Sequence, residues 1–276
     1  MRLSEVGELG LLAELERQGL AVGIEDDAAE LEPGLVVTQD SLVEGVHFRF
    51  DRLSWHELGF RAAAVNISDL AASGARPEAL LVSLGLAAET KLEDVLELYA
   101  GLAEAEVPVR GGDTTRAGEA FVTVTAVGRA DRVPGRAGAG AGDLLVVTGP
   151  LGGAGAAFRE GRYVRPPLRV EEGVALAHDA HAMLDISDGL ARDAGHIAAR
   201  SGCRVVIELD RVPLADGAIH QDLAFGEDYE LLAASADPLQ FAVIGRCEAG
   251  SGVEIRLDGQ RVALSGWDHF ALRESG

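Results

Sequence analysis

Six aspartates stand in short motifs rich in turn-forming residues. They are Asp27 in EDDAA, Asp40 in VVTQD, Asp69 in NISDLAASGA, Asp113 in GGDTTR, and Asp185 and Asp188 in LDISDG. Strand ends and helix edges point oxygens into one pocket, and carboxylates placed there bind hard cations. Any one of the six can also be read alone as a helix cap or an acidic turn. Six together are hard to explain as independent caps, and the set points to a magnesium-dependent site that handles phosphates.

GGDTTR (111–116) is the sharpest motif. Its glycines permit positive φ and a close approach of backbone to a phosphate or cation. Asp113 offers carboxylate oxygens, Thr114 and Thr115 hydroxyls, and Arg116 a fork for phosphate or a structural carboxylate. Taken alone it is also a tight turn with a capping aspartate. In LDISDG, a helix beginning near Asp188 would crowd Asp185 and Asp188 at its N-terminus. Two acids there repel unless a cation lies between them. His47 in GVHFRF, Glu227 and Asp228 in GEDY, and Trp267 in SGWDHF read, one by one, as ordinary structural residues. The chain holds one lysine, Lys91, on an expected helix surface. There is no GxxxxGK[ST] loop, zinc motif, Ser–His–Asp signature or GxGxxG after a strand. Phosphate charge must therefore be met by metals, arginines and backbone N–H groups.

These residues need elements to position them. The pattern predicts a helix over 3–19, a short buried strand over 35–40 ending at Asp40, and a second strand within 41–50. Ser54 caps a helix from Trp55 to about Ser73, with Gly74 as its stop. Asn66 and Asp69, three apart, share one face of it. A strand over 79–86 follows, then a helix capped by Thr90 and running to about Glu106, a glycine turn at GGDTTR, and an alternating strand over 120–128. Residues 131–143 read as a boundary loop. Beyond it come a strand and helix around GPLGGAG and a helix in EGVALAHDAHAM. A helix over GLARDAGHIAARS ends at Gly202, and strands follow at CRVVIELD, after GEDY, and at AVIGRCE, GVEIRLDG and QRVALSG. The fold class is α+β, a mixed α/β arrangement, with an N-terminal domain over 1–132 and a C-terminal domain over 133–276.

At 276 residues and 47% apolar composition, the chain can build two cores. A net charge of -21 repels nucleic acid and anionic membranes, so neither is an expected partner. Cys203 and Cys247 have no metal-ligand spacing, which fits two buried thiols in a reducing cytoplasm. The N-terminus carries acids inside its apolar pattern, unlike a signal peptide, and no apolar run reaches membrane-spanning length.

Taken in order, the motifs GIEDDAA, TQDSLVEGVHF, AVNISDLAASGARP, GGDTTR, DISDGLARDAGHIAARSG, GEDYEL and GWDHF resemble those of the thiamine-monophosphate kinases, within the aminoimidazole-ribonucleotide-synthetase-like superfamily. The resemblance covers nearly the whole chain. It implies transfer of the ATP γ-phosphoryl to thiamine monophosphate, and a homodimer whose N-terminal sheets meet in a barrel-like interface. It further implies several Mg²⁺ ions on Asp27, Thr38, Gln39, Asp40, Asp69, Asp113, Asp185 and Asp188. ATP would meet Gly112, Asp113, Arg136 and Ser187. Thiamine monophosphate would meet His47, Glu227 and Trp267. No general base is assigned, because the acceptor phosphate is itself a nucleophile. The chain departs from the family pattern at Glu25, Gln39 and Phe225, and is short over about 159–173 and between Asp210 and Phe225. The alternatives are another ATP-using enzyme of the superfamily and a non-catalytic protein that binds thiamine phosphate or metal.

Overall fold

A computed structural model describes residues 2–24 and 26–267. Glu25, and Asp268, His269 and Phe270 of the WDHF motif, lie outside the described residues. The first half comprises α1 (Leu3–Arg17), β1 (Ala29–Glu32), β2 (Leu35–Val43), α2 (Trp55–Ala72), β3 (Arg76–Leu86), α3 (Leu92–Ala103), β4 (Val109–Arg116) and β5 (Phe121–Arg129). The second comprises β6 (Leu144–Val147), α4 (Gly153–Arg159), α5 (Val170–Ala177), β7 (Ala182–Asp185), α6 (Leu190–Ser201), β8 (Arg204–Glu208), β9 (Leu231–Ser235), β10 (Ala242–Glu248), β11 (Gly252–Leu257) and β12 (Gln260–Val262).

The strands form two mixed sheets. The first runs β1-β2-β5-β3-β4, antiparallel except for the parallel β3–β4 pair. The second runs β12-β11-β8-β10-β6-β9-β7, with β8 and β11 parallel. Between them, residues 130–143 form no helix or strand. β5 alternates as its sequence does: Val122, Val124 and Ala126 are fully buried on the side that α2 covers, while Phe121, Thr123 and Thr125 face the other side of the sheet.

The centrepiece is α2. Ser54 Oγ accepts the Glu57 N–H at 3.2 Å while Glu57 Oε2 accepts the Ser54 N–H at 2.6 Å, a reciprocal cap. Small residues let α2 be buried almost along its length. Ile67 and Leu70 join the core under the first sheet. Ala71 and Ala72 join Leu176, Met183 and Leu231 against the second. Each large side chain so buried contributes about 1.5–3 kcal/mol. One helix thus touches both sheets, and residues on its flank reach both at once.

Several expectations are corrected. The two strands expected over 35–50 are one strand, β2, in register with β5 from Leu35 to Val43, so Asp40 lies within a strand and not at its end. GGDTTR is no turn; it is the edge strand β4. A Cβ at Gly112, where φ is 146°, would come within 1.8 Å of Val82 O. The close approach that needs glycine is to strand β3, not to a ligand. Lys91 and not Thr90 precedes the third helix. The helix expected over EGVALAHDAHAM stops at Ala177, because Ala182 and Met183 enter β7 and pair with β9. Strand β1, AELE, alternates over only four residues and is exposed throughout, too short a signal to have announced it.

Candidate active site

The buried flank of α2 gathers the aspartates. Asp69 Oδ2 accepts the Thr38 hydroxyl at 2.6 Å, and Asn66 Oδ1 accepts the Asp40 N–H at 2.9 Å. Thus α2 grips β2 at the two positions whose side chains point its way. Asn66 Nδ2 donates to Ala62 O at 2.9 Å, which fixes its amide. Across the domain junction, Ser68 donates to Asp185 Oδ2 at 2.5 Å at the end of β7. Asp27 comes in from the loop before β1, and Thr38 Oγ1 lies 3.2 Å from its carbonyl oxygen. Arg136, from the segment joining the two sheets, donates Nε to Asp27 Oδ1 at 3.1 Å, and its backbone N–H to Asp26 Oδ1 at 2.6 Å.

One carboxylate oxygen from each of Asp27, Asp69 and Asp185 lies within 4.8 Å of the other two. Such a group cannot stay fully ionised by itself. Burial, then the charges of Asp40, Asp185 and Asp27, push the Asp69 carboxyl well above the ordinary range. Burial and Asp27 push Asp185 to about 8. Burial raises Asp27 as well, against the pull of Arg136. One guanidinium does not balance three carboxylates, of which Asp185 is buried and Asp27 and Asp69 are partly so. Carboxylate and hydroxyl oxygens alone make a donor set suited to a hard divalent cation.

A second group adjoins the first. Asp188, Asp193 and His196 place a ligand atom each within 4.8 Å of one another. The helix after LDISDG begins at Leu190 and is not capped by Asp185 or Asp188. Asp193 Oδ2 takes that role, accepting the N–H groups of Asp188 and Gly189 at 3.0 Å each. Asp188 instead faces Arg192, with Nε 3.1 Å from Oδ2. Burial, then Arg136, Arg192 and Arg200, lower His196 to about 4, so its imidazole is neutral near pH 7.

The GEDY segment lies along LDISDG. Glu227 N–H donates to Ser187 O at 2.8 Å, Tyr229 N–H to Ile186 O at 2.9 Å, and Trp267 N–H to Asp188 O at 2.8 Å. Glu227 and Tyr229 take left-handed φ values of 58° and 52°. Such strain in non-glycine residues persists only where the surroundings enforce it, and it clusters at functional sites. Gly226 permits the approach, since a Cβ there would meet Ser187 O at 2.2 Å. Asp228 is structural: its carboxylate accepts Gly152 N–H at 2.8 Å and Ala154 N–H at 3.3 Å, tying down the GPLGGAG turn. Arg61, buried on α2, donates to His47 O at 2.8 Å and pairs with Glu227. His47 Nδ1 accepts the Val43 N–H at 3.0 Å, which leaves its proton on Nε2.

A cleft of about 780 Å³ joins these groups. Every site residue expected from the sequence lines it except Gly112 and Asp113. Gln39 reaches it, but its side chain turns to the opposite sheet face and accepts Thr125 Oγ1 at 2.8 Å. Asp113 is in register with Ser83, Thr123 and Ser41 across the first sheet. Three strand spacings, about 14 Å, separate it from β2. Within one chain it does not join the cluster. Arg61, Ser68 and Asp193 escaped the sequence reading. A lone arginine in the apolar run GFRAAAV was the signal for Arg61.

The N-terminal domain of the AIR synthase related proteins matches residues 25–130, and their C-terminal domain matches 140–258. The thiamine-monophosphate kinase of Aquifex aeolicus is 33% identical over 309 aligned positions, covering 98% of this chain and 100% of its own. That of Rhodopirellula baltica is 35% identical over 91% of this chain and 87% of its own. The solved structure of AaThiL complexed with AMPPCP and TMP matches with a TM-score of 0.87 and 32% identity, covering 98% of this chain and 99% of that one.

Proposed function

We propose that this chain, which belongs to the thiamine-monophosphate kinase family of the AIR synthase related proteins, transfers the γ-phosphoryl group of ATP to thiamine monophosphate. The bond from Pγ to the bridging oxygen breaks, ADP leaves with the electron pair, and a phosphate oxygen of thiamine monophosphate bonds to Pγ to give thiamine diphosphate. The observation that carries this reading is the convergence of Asp27, Asp69 and Asp185 in a cleft shared with His47 and Glu227.

Asp27, Thr38, Asp40, Asp69, Asp185 and Asp188 would hold several Mg²⁺ ions, with Gln39 adding only backbone. Bound there, these ions draw charge from the phosphates and favour in-line transfer. Arg136, oriented by Asp27, and Ser187 face the nucleotide. His47, Glu227 and Trp267 receive the acceptor. Trp267 offers a ring to the thiazolium cation, and Arg61 holds the Glu227 carboxylate in the cleft. No side chain need act as general base, since the acceptor phosphate is already anionic.

A homodimer accounts for Asp113. The outer face of the first sheet carries half-buried Phe121, Thr123 and Thr125 and the 42% exposed Leu81, and its edge β4 is exposed. A second copy packed sheet to sheet would cover that face and bring Gly112 and Asp113 to a cluster in the other protomer. We place the domain boundary at 132/133, within the segment free of helix and strand. The cytoplasm is the proposed location; Cys203 and Cys247 are buried and free, as a reducing compartment would keep them. Among the described residues, no helix is long and apolar enough to cross a membrane.

The test is a coupled ADP-release assay with thiamine monophosphate, free thiamine or no acceptor. Release with thiamine monophosphate alone, matched by thiamine diphosphate, is expected. Absence of thiamine diphosphate from active, Mg²⁺-supplied protein would sink the proposal.

A further inference from the structure

Three residues from separate segments meet in the wall of the cleft. Phe158 on α4 and Phe225, just before GEDY, lie with ring centroids 4.7 Å apart and planes tilted by 31°. Arg52, from the loop before α2, holds its guanidinium 4.5 Å from the Phe158 centroid. Both phenyl positions are fixed through one buried residue, Asp222. Arg159, next to Phe158, donates Nε and Nη2 to the two Asp222 carboxylate oxygens at 3.0 and 2.7 Å. The Phe225 N–H donates to the Asp222 carbonyl oxygen at 3.0 Å. Yet Phe158 stays 51% exposed and Phe225 is only partly buried. Neither ring joins a hydrophobic core among the described residues.

A pair of rings held rigid but left half in water contributes little to folding. In a ligand cleft it offers preorganised apolar surface on which a planar group can stack. The pair borders the acceptor residues by chain and by contact. Phe225 precedes Glu227 by two residues, and the loop that carries Arg52 also carries His47. Arg61 closes the circuit, donating to His47 O at 2.8 Å and pairing with Glu227. Arg52 also sets the charge of the ligand group that can lie there. It repels a permanent cation from the Phe158 ring, whereas a neutral heteroaromatic ring meets no such cost. We infer that Phe158 and Phe225 form a specificity wall for the neutral heteroaromatic ring of the phosphoryl acceptor, leaving its cationic ring to Glu227 and Trp267. This rests on the kinase reading above. Phe225, one of the chain's departures from the family pattern, thereby gains a role in choosing the acceptor.

Phe158→Ala and Phe225→Ala each remove one ring. Calorimetric titration compares thiamine monophosphate with an N-methylthiazolium ethyl phosphate, which keeps the cation and the phosphate and lacks the pyrimidine. Each variant should raise Kd for thiamine monophosphate about five-fold, the size of one aromatic stacking contact, and leave Kd for the truncated ligand within about two-fold. Phe158→Ala, at a half-exposed site, should leave Tm within about 2 °C. Equal weakening of both ligands would mark the rings as structural and overturn the inference. So would a Kd for thiamine monophosphate within about two-fold of the parent in either variant. If the parent protein forms no thiamine diphosphate, the kinase reading fails first and the inference falls with it; a working parent whose variants treat both ligands as it does refutes the wall alone.

Discussion

Replacing Asp185 by asparagine separates the cost of the carboxylate cluster from its use. The Asp185 side chain is buried and its carboxyl is raised from 3.8 to about 8, first by burial and then by Asp27. Folded protein therefore keeps a proton that the unfolded chain has lost across that interval. The sign follows: the folded state binds more protons, so stability without metal falls as pH rises from about 4 to about 8. The slope from this group is about 1.4 kcal/mol per pH unit. The accumulated cost is about 1–2 kcal/mol at pH 5 and on the order of 5 kcal/mol at pH 8, an upper bound because local relaxation reduces it. Asparagine does not carry this cost, and its amide oxygen can still accept the Ser68 hydroxyl. For a chain of this length each kcal/mol shifts Tm by about 2 °C. In metal-free buffer the Asp185→Asn protein should melt about 3 °C above the parent at pH 5 and about 10 °C above it at pH 8. Adding Mg²⁺ should cut that lead at pH 8 by about half. The parent gains RT ln(1 + [Mg²⁺]/Kd), about 2.7 kcal/mol at a hundred-fold excess over Kd, while the variant gains little. Thermal melts at four pH values, with chelator and with Mg²⁺, measure all of this. An advantage that is flat with pH, or a variant still stabilised by Mg²⁺, would refute the cluster as a cation site.

Three further outcomes are expected. Asp113→Asn changes an exposed edge-strand residue and should leave Tm within about 1 °C, yet lower kcat by at least about 100-fold if it clamps a metal in the assembled dimer. Mixing Asp113→Asn with Asp69→Asn subunits should restore part of the activity, whereas no recovery after proven subunit exchange would mean each site is built from one chain. Arg61→Met leaves the partly exposed Glu227 without its cation and should cost about 1–3 kcal/mol in denaturant unfolding, with binding of thiamine monophosphate lost before binding of ATP; a loss under 1 kcal/mol would show the pair to be solvated. Gly226→Ala drives a methyl into Ser187 O and should raise KM for the acceptor and lower Tm together, and unchanged kinetics would show that the GEDY segment is free to move.

What the sequence disclosed and what it hid follow one physical division. Asp27, Asp69 and Asp185 were legible only as members of a set, because six acids in turn-rich motifs along one chain point to a shared cation more readily than to six independent caps. The helix of α2 was legible for a local reason, since Ser54 and Glu57 form its cap within four residues. GGDTTR was misread because a glycine at φ 146° in an edge strand and a glycine in a turn are the same letter. Only the Val82 carbonyl on a neighbouring strand tells them apart. Asp193 was hidden in the same way: Asp185 and Asp188 looked like the caps, but the helix starts later and its orphan N–H groups turn to a carboxylate inside it.

Arg61, Arg165 and Arg169 belong to a third kind, residues whose partners come from distant parts of the chain. Arg61 lies on α2, while its partner Glu227 is 166 positions away. Arg165 and Arg169 stand close together in the chain, yet their partners, Glu104 and Glu230, sit on opposite domains. No local pattern encodes such a meeting, because the chain is free to vary at each end so long as the pair survives. The metal cluster is legible because chemistry restricts it to oxygen-rich residues. The acceptor pocket is less so, since many side chains can shape a wall around a heteroaromatic ring.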